Sequence, residues 1–306
     1  MAGPYHLVIT RITGFSVPSP GLAAQLACII EVTARKPGNV HPGQGFADAS
    51  YIDFLVSAAA IAPVLDGARA RGSLGGTILG CVEATRAVTR SNTNLGIILL
   101  LSPLAHVAPG RLRDPAGVAG AIEEVLGATT MEDAELAYEA IRLAAPGGLG
   151  RSAKADVMDG PTGTLLEMMV LAAERDLVAR QYATAYADAR EGARRLEALL
   201  TEGVALGDAV VRVFLELIAR HGDTLIERKL GKDVSLEAAR RAREVLETAP
   251  GPAAEGRLAA FDAWLREDSN RRNPGACADV TAAILYLGIL AGRIQLPFEA
   301  MLHANV

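Results

Sequence analysis

Between residues 31 and 45 the chain reads Glu31-Val-Thr-Ala-Arg-Lys-Pro-Gly-Asn-Val-His-Pro-Gly-Gln-Gly45. An acid, two cations, an amide and an imidazole are gathered where an apolar helical run ends. Proline removes a backbone donor and glycine permits positive φ, so the sequence predicts that helix stops near Lys36. Glu31 stands one turn before Arg35 on the same helix face. Such a set of side chains suits a polyanion, a metal ion, or both.

Two later stretches repeat the pattern. The three junctions are Lys36-Pro-Gly-Asn39 with His41 and Asp48, Asn92-Thr93-Asn94 with Gly96, and Asn273-Pro-Gly275 with Asp279. Each places amide or carboxylate side chains and glycine at or near a helix terminus. Backbone N–H groups at helix starts bind phosphate oxygens, and glycine lets a ligand come close. Aspartates at such points can hold Mg2+, which keeps several waters and bridges phosphates. Taken singly, each junction also reads as ordinary punctuation: Asn92 as a cap, Asn273 as a turn former, Asp279 as a dipole partner. Neither GxxxxGK[ST] nor GxGxxG occurs, so no Walker or Rossmann nucleotide site is expected. His106, His221 and His303 have no partner at motif spacing and read as structural.

The elements that must position these junctions are helices. Ser19-Pro20 is a cap followed by proline at the first helical position, leading into Leu22, Leu26, Ile29 and Ile30. Ser50-x-x-Asp53 resembles a capping box. Leu95–Leu104 is apolar on every side and is expected at the centre of the bundle. Further amphipathic segments are read at 74–90, 165–175, 177–200, 206–220, 236–247, 258–267 and 278–291. A glycine-rich stretch, Pro146–Gly163, is the candidate hinge or lid. No segment shows sustained alternation with hairpin turns. The expectation is an N-terminal extension, 1–18, then one all-α domain over 19–306, a multi-helix globular bundle with a buried apolar central helix.

Composition narrows the partners. Half of the 306 residues are apolar, only 4% are aromatic, and the formal net charge is -5. With no basic tract, nucleic acid is not expected as a partner. The three cysteines, Cys28, Cys81 and Cys277, have neither zinc nor disulfide spacing and read as small buried thiols. The apolar runs fall short of the ~20 residues a bilayer requires, and no signal peptide is read, so a cytoplasmic protein is expected. The reading leaves room for a homodimer.

K-P-G near a helix-terminal Glu, N-T-x-x-G before an apolar helix, and N-P-G-x-x-A-D near the C-terminus, in that order, resemble the triphosphoribosyl-dephospho-CoA synthase family. The likeness runs from about Leu22 to Gly292. It implies an all-α fold and transfer of the triphosphoribosyl group of ATP to the 2′-hydroxyl of 3′-dephospho-CoA, with release of adenine. The product would be the prosthetic-group precursor of an acyl carrier protein. Where the family shows H-x-D-M this chain has Phe46-Ala-Asp48-Ala, and where it shows N-T-H-K-G this chain has Asn92-Thr-Asn94-Leu95-Gly96. Its G-x-R-G-E-A segment is here Gly150-Arg-Ser-Ala-Lys-Ala-Asp156. On this resemblance Lys36, Gly38 and Asn39 are expected at the phosphates. Asn92, Thr93, Asn94, Asn273 and Gly275 are expected around the nucleotide, with Asp48 and Asp279 at Mg2+. Glu31, Asp48 and His41 are the expected catalytic groups. Two alternatives stay open: another ATP- or phosphoribosyl-using transferase, such as one serving a methanopterin-type C1 carrier, and a non-catalytic nucleotide- or CoA-binding protein.

Overall fold

A computed structural model describes residues 18–144 and 157–294, which form sixteen helices and no strand. The first half holds α1 (Pro20–Thr33), α2 (Tyr51–Asp66), α3 (Ala68–Arg71), α4 (Leu74–Val88), α5 (Leu95–His106), α6 (Pro109–Leu112), α7 (Val118–Gly127) and α8 (Met131–Ala144). The second holds α9 (Leu165–Ala172), α10 (Leu177–Ala183), α11 (Ala187–Thr201), α12 (Leu206–His221), α13 (Thr224–Leu230), α14 (Lys232–Glu247), α15 (Pro252–Arg266) and α16 (Gly275–Leu290). The fold is all-α, as the periodicity implies. Residues 1–17 of the expected N-terminal extension and residues 146–156 of the expected lid lie outside the described residues.

Local chemistry sets the helix starts. Ser19 accepts from the Leu22 N–H at 3.2 Å, with Pro20 in the first turn. Ser50 with Asp53, and Thr164 with Glu167, close reciprocal capping boxes on α2 and α9. Two helices apolar on all sides, α5 and α16, form the centre and are buried along almost their whole length. Around them pack α1, α4, α10, α11 and α12. Among the described residues no helix is long and apolar enough to cross a membrane.

The sequence-based reading of one helix over 177–200 is corrected. Ala185 and Tyr186 adopt left-handed backbone, φ 47° and 61°, and divide α10 from α11. The bend lets two tyrosines repair α5. Pro103 inside α5 has no N–H to offer the Leu99 carbonyl, and the Tyr182 hydroxyl donates to that oxygen at 2.6 Å. Tyr186 donates to the next carbonyl, Leu100, at 2.8 Å. Helix α13 was not foreseen, and α16 starts at Gly275 rather than residue 278.

Candidate functional site

The ends of five helices meet at one cavity of about 1250 Å³. The exit of α1 supplies Glu31 and Asn39, and the following loop supplies Asp48. Asn92, Thr93, Asn94 and Gly96 come from the start of α5, and Asn273, Gly275 and Asp279 from the start of α16. The three junctions, far apart in sequence, therefore share one space. The start of α10 adds Asp176, and the end of α13 adds Arg228 and Lys229.

Asp279 is half-buried at the meeting of α16 and α5. A Cβ placed on Gly96 would lie 2.0 Å from Asp279 Oδ2, so only glycine leaves room for this carboxyl against the first turn of α5. Burial, followed by the charges of Glu31, Asp223 and Asp176, pushes Asp279 well above the usual carboxylate range, with Arg228 opposing. Asp48 is exposed at the rim, and its backbone carbonyl accepts from Ser91 Oγ. Among the described residues no three His, Cys, Asp or Glu side chains are arranged to hold a metal ion.

The amides are firmly placed yet incompletely bonded. Asn92 Oδ1 accepts from the Leu95 N–H at 3.3 Å and caps α5. Thr93 Oγ1 and Ser57 Oγ are 2.7 Å apart. Asn94 Oδ1 accepts from Thr85 at 3.2 Å, leaving its buried Nδ2 with no partner, and Asn273 Oδ1 is likewise unpartnered. A buried donor and a buried acceptor on the walls of one cavity are the polar inventory a ligand satisfies.

Three expected site residues, Lys36, Gly38 and His41, lie off the cavity lining. Lys36 is 1% exposed and does not line the cavity. Its Nζ lies 2.9 Å from Glu31 Oε1, also donates to the Glu31 carbonyl, and stands 5.9 Å from the Phe214 ring centroid. It holds Glu31 from behind and offers nothing to a phosphate. Gly38, at φ 74°, gives its N–H to Asp262 at 2.7 Å and packs against Leu265 and Pro274. His41 also lies off the lining, its Nδ1 accepting the Gly43 N–H at 3.2 Å. Burial, with the Arg266 charge second, lowers its pKa. The histidines read as structural behave so where described: His106 pairs with Thr77, and His221 with Asp188, both at 3.0 Å.

Six cations on the lining were missed by the sequence reading: Arg86, Arg90, Arg175, Arg228, Lys229 and Arg271. None belongs to a glycine-containing junction, so motif spacing carried no signal for them. Asp223, wholly buried, fixes α13 to α16. Its Oδ1 accepts from the Leu225 and Ile226 N–H groups at 2.8 and 3.1 Å, and its Oδ2 from the Cys277 N–H at 2.8 Å. One carboxylate thus joins the starts of both helices, whose Lys229 and Asp279 both line the cavity. Tyr138, Ile141, Met168 and Met169 add apolar surface to the lining.

A helical bundle with a large cleft lined by both cations and apolar side chains is a frame that suits a large, partly anionic ligand. The chain belongs to the CitG family, ATP:dephospho-CoA triphosphoribosyl transferase, whose model matches residues 18–297. Its fold is similar to the crystal structure of a candidate triphosphoribosyl-dephospho-CoA synthase from Archaeoglobus fulgidus. That similarity has a TM-score of 0.61 and 24% identity over 78% of this chain and 99% of the other. No curated protein matches the chain significantly.

Proposed function

We propose that this transferase moves the triphosphoribosyl group of ATP onto the 2′-hydroxyl of 3′-dephospho-CoA. The bond from ribose C1′ to adenine N9 breaks, a bond from C1′ to the acceptor oxygen forms, and the hydroxyl proton is lost as adenine leaves protonated. The observation that carries this reading is the size and make-up of the cavity. At about 1250 Å³ it exceeds the roughly 300–1,000 Å³ typical of a single small-ligand site. It holds all three junctions, six cations and apolar side chains.

The displacement develops positive charge at C1′, as glycoside cleavage does. Glu31, fixed by Lys36 and facing the cavity, supplies the stabilising carboxylate. Asn94 and Asn273 offer their unpartnered amide atoms to base or ribose. Mg2+ held with the triphosphate fits the donor set, because it needs only one or two carboxylates beside phosphate and water oxygens, and Asp48 and Asp279 are those we assign. When bound it supplies neutralisation of the phosphate charge. The product would serve as prosthetic-group precursor of an acyl carrier protein. Asn94-Leu95 on the lining, where the family resemblance has His-Lys, and the apolar side chains on the same lining favour a second reading with the same donor and a less polar acceptor.

Chromatography of ATP incubated with the protein and dephospho-CoA tests the proposal. Stoichiometric adenine with a matching adduct is the expected result. No adenine with any acceptor would leave a binding protein and overturn it.

A further inference from the structure

With Lys36 sealed behind Glu31, the cavity's hold on an anion must come from other cations. Among the described lining cations, Lys229 and Arg90 make no side-chain hydrogen bond or ion pair, and of these two only Lys229 is half-buried, Arg90 being exposed. An ammonium drawn partly out of water without a counter-charge is unfavourable until an anion arrives. The neighbouring charges are placed for the same ligand. Arg228 is held only loosely, 3.6 Å from Asp176. Arg271 donates to the Lys229 carbonyl at 3.2 Å and pairs with Asp268 at 3.1 Å. The residues before it, Asp268, Ser269 and Asn270, hold φ of 55°, 55° and 61°, an uncommon run for non-glycine residues that bends this loop onto the end of α13. Burial, then the Arg228 charge, lowers the Lys229 pKa, while Asp223 and Asp48 oppose.

We propose that Lys229, flanked by Arg228 and Arg271, is the seat of the oligophosphate chain of a nucleoside triphosphate. The ligand class follows from the charges: three cations on two adjoining elements suit a row of anionic groups, and Asp48 at the rim suits one accompanied by a divalent cation. The site rests on the reading of ATP as donor. A competing account has Lys229 merely complementing the dipole at the C-terminal end of α13, which affects stability and not ligand affinity.

The sequence has four lysines, Lys36, Lys154, Lys229 and Lys232, so lysine acylation with peptide mapping reads each separately on the unaltered chain. Saturating inorganic tripolyphosphate with Mg2+ is expected to protect Lys229, to leave exposed Lys232 unprotected, and adenosine to protect neither. In calorimetry, Lys229→Met is expected to weaken tripolyphosphate and ATP by roughly tenfold or more, with Lys232→Met unchanged. Equal labelling of Lys229 with and without tripolyphosphate, or unaltered tripolyphosphate affinity in Lys229→Met, overturns the seat. Adenine release that is undiminished in Lys229→Met would remove the seat and leave the proposed function standing. Protection of Lys229 in a protein that releases no adenine would do the reverse.

Discussion

The exit of α1 and the end of α13 each bring a lysine to the neighbourhood of one cavity, and they use it in opposite ways. At the α1 exit, Lys36 is wholly enclosed, paired with Glu31 at 2.9 Å and backed by Phe214. At the end of α13, Lys229 is half-buried, faces the cavity, and is flanked by two arginines that are only partly engaged. The first lysine sits in a motif and the second in none. Availability, and not motif membership, separates a cation that builds a site from one that meets a ligand. A lysine whose charge is consumed by a buried carboxylate stabilises that carboxylate's position, and its contribution to function passes through Glu31.

The largest expected effect breaks the first half of that contrast. Lys36→Met leaves Glu31 as an unpaired buried acid and is expected to lower unfolding stability by about 3–5 kcal/mol. Adding Glu31→Gln should recover much of it, since an uncharged pair of similar size removes the penalty. Denaturant titration of the two variants against the parent measures both numbers. A folded Lys36→Met protein with parental stability would show that the ion pair does not hold Glu31, and that the two lysines are more alike than their burial suggests.

The helical fold was legible because its signals are local. Ser19-Pro20, Ser50-x-x-Asp53 and the all-apolar run from Leu95 state their structure within a few residues. The meeting of the three junctions was legible as shared chemistry, and Asn39, Asp48, Asn94, Asn273 and Asp279 do line one cavity. Direction was not legible. Lys36 and Glu31 are five residues apart at a helix exit, and the inward turn of the lysine rests on contacts that spacing does not record, among them Phe214, far along the chain. Arg228 and Lys229 were invisible for a different reason. Their helix exists because Asp223, a single buried carboxylate, caps it and ties it to α16, a contact across 54 residues that no short motif records. The break at Ala185 and Tyr186 is equally non-local, since it serves the carbonyls of α5.

A middle-sized effect tests how closely α5 and α16 must approach. Gly96→Ala would drive a methyl group to within 2.0 Å of Asp279 Oδ2, at the wall shared by the two central helices. Overpacking of this kind is expected to lower stability by about 1–3 kcal/mol and to displace the carboxyl from the cavity. Pairing it with Asp279→Ala should restore most of the stability without restoring adenine release. Recovery of both would place Asp279 outside the chemistry and leave Glu31 as the acid that matters.

Asp279→Asn carries the smallest expected change, and it sharpens the contrast from the carboxylate side. Glu31 has a buried cation, whereas the groups that act on Asp279 are chiefly burial and the acids Glu31, Asp223 and Asp176, which raise its pKa in the folded state. A carboxyl raised on folding contributes stability fully present below its unfolded pKa of about 3.9 and loses it as pH rises towards the folded value. At about pH 2, well below the unfolded pKa, both states carry the proton, and the near-isosteric amide should match the parent within about 0.5 kcal/mol. Above that the unfolded parent ionises while the folded one resists, so the parent loses stability and the asparagine variant does not. The difference should therefore grow in favour of Asp279→Asn, by a fraction of the roughly 1.4 kcal/mol per pH unit that one proton allows, because the half-buried carboxyl opens on cavity water. Urea titrations at several pH values, with a chelator to exclude divalent ions, measure the trend. A difference that stays flat or reverses would mean that Asp279 is ionised in the folded protein and has found a counter-charge, as Glu31 has in Lys36.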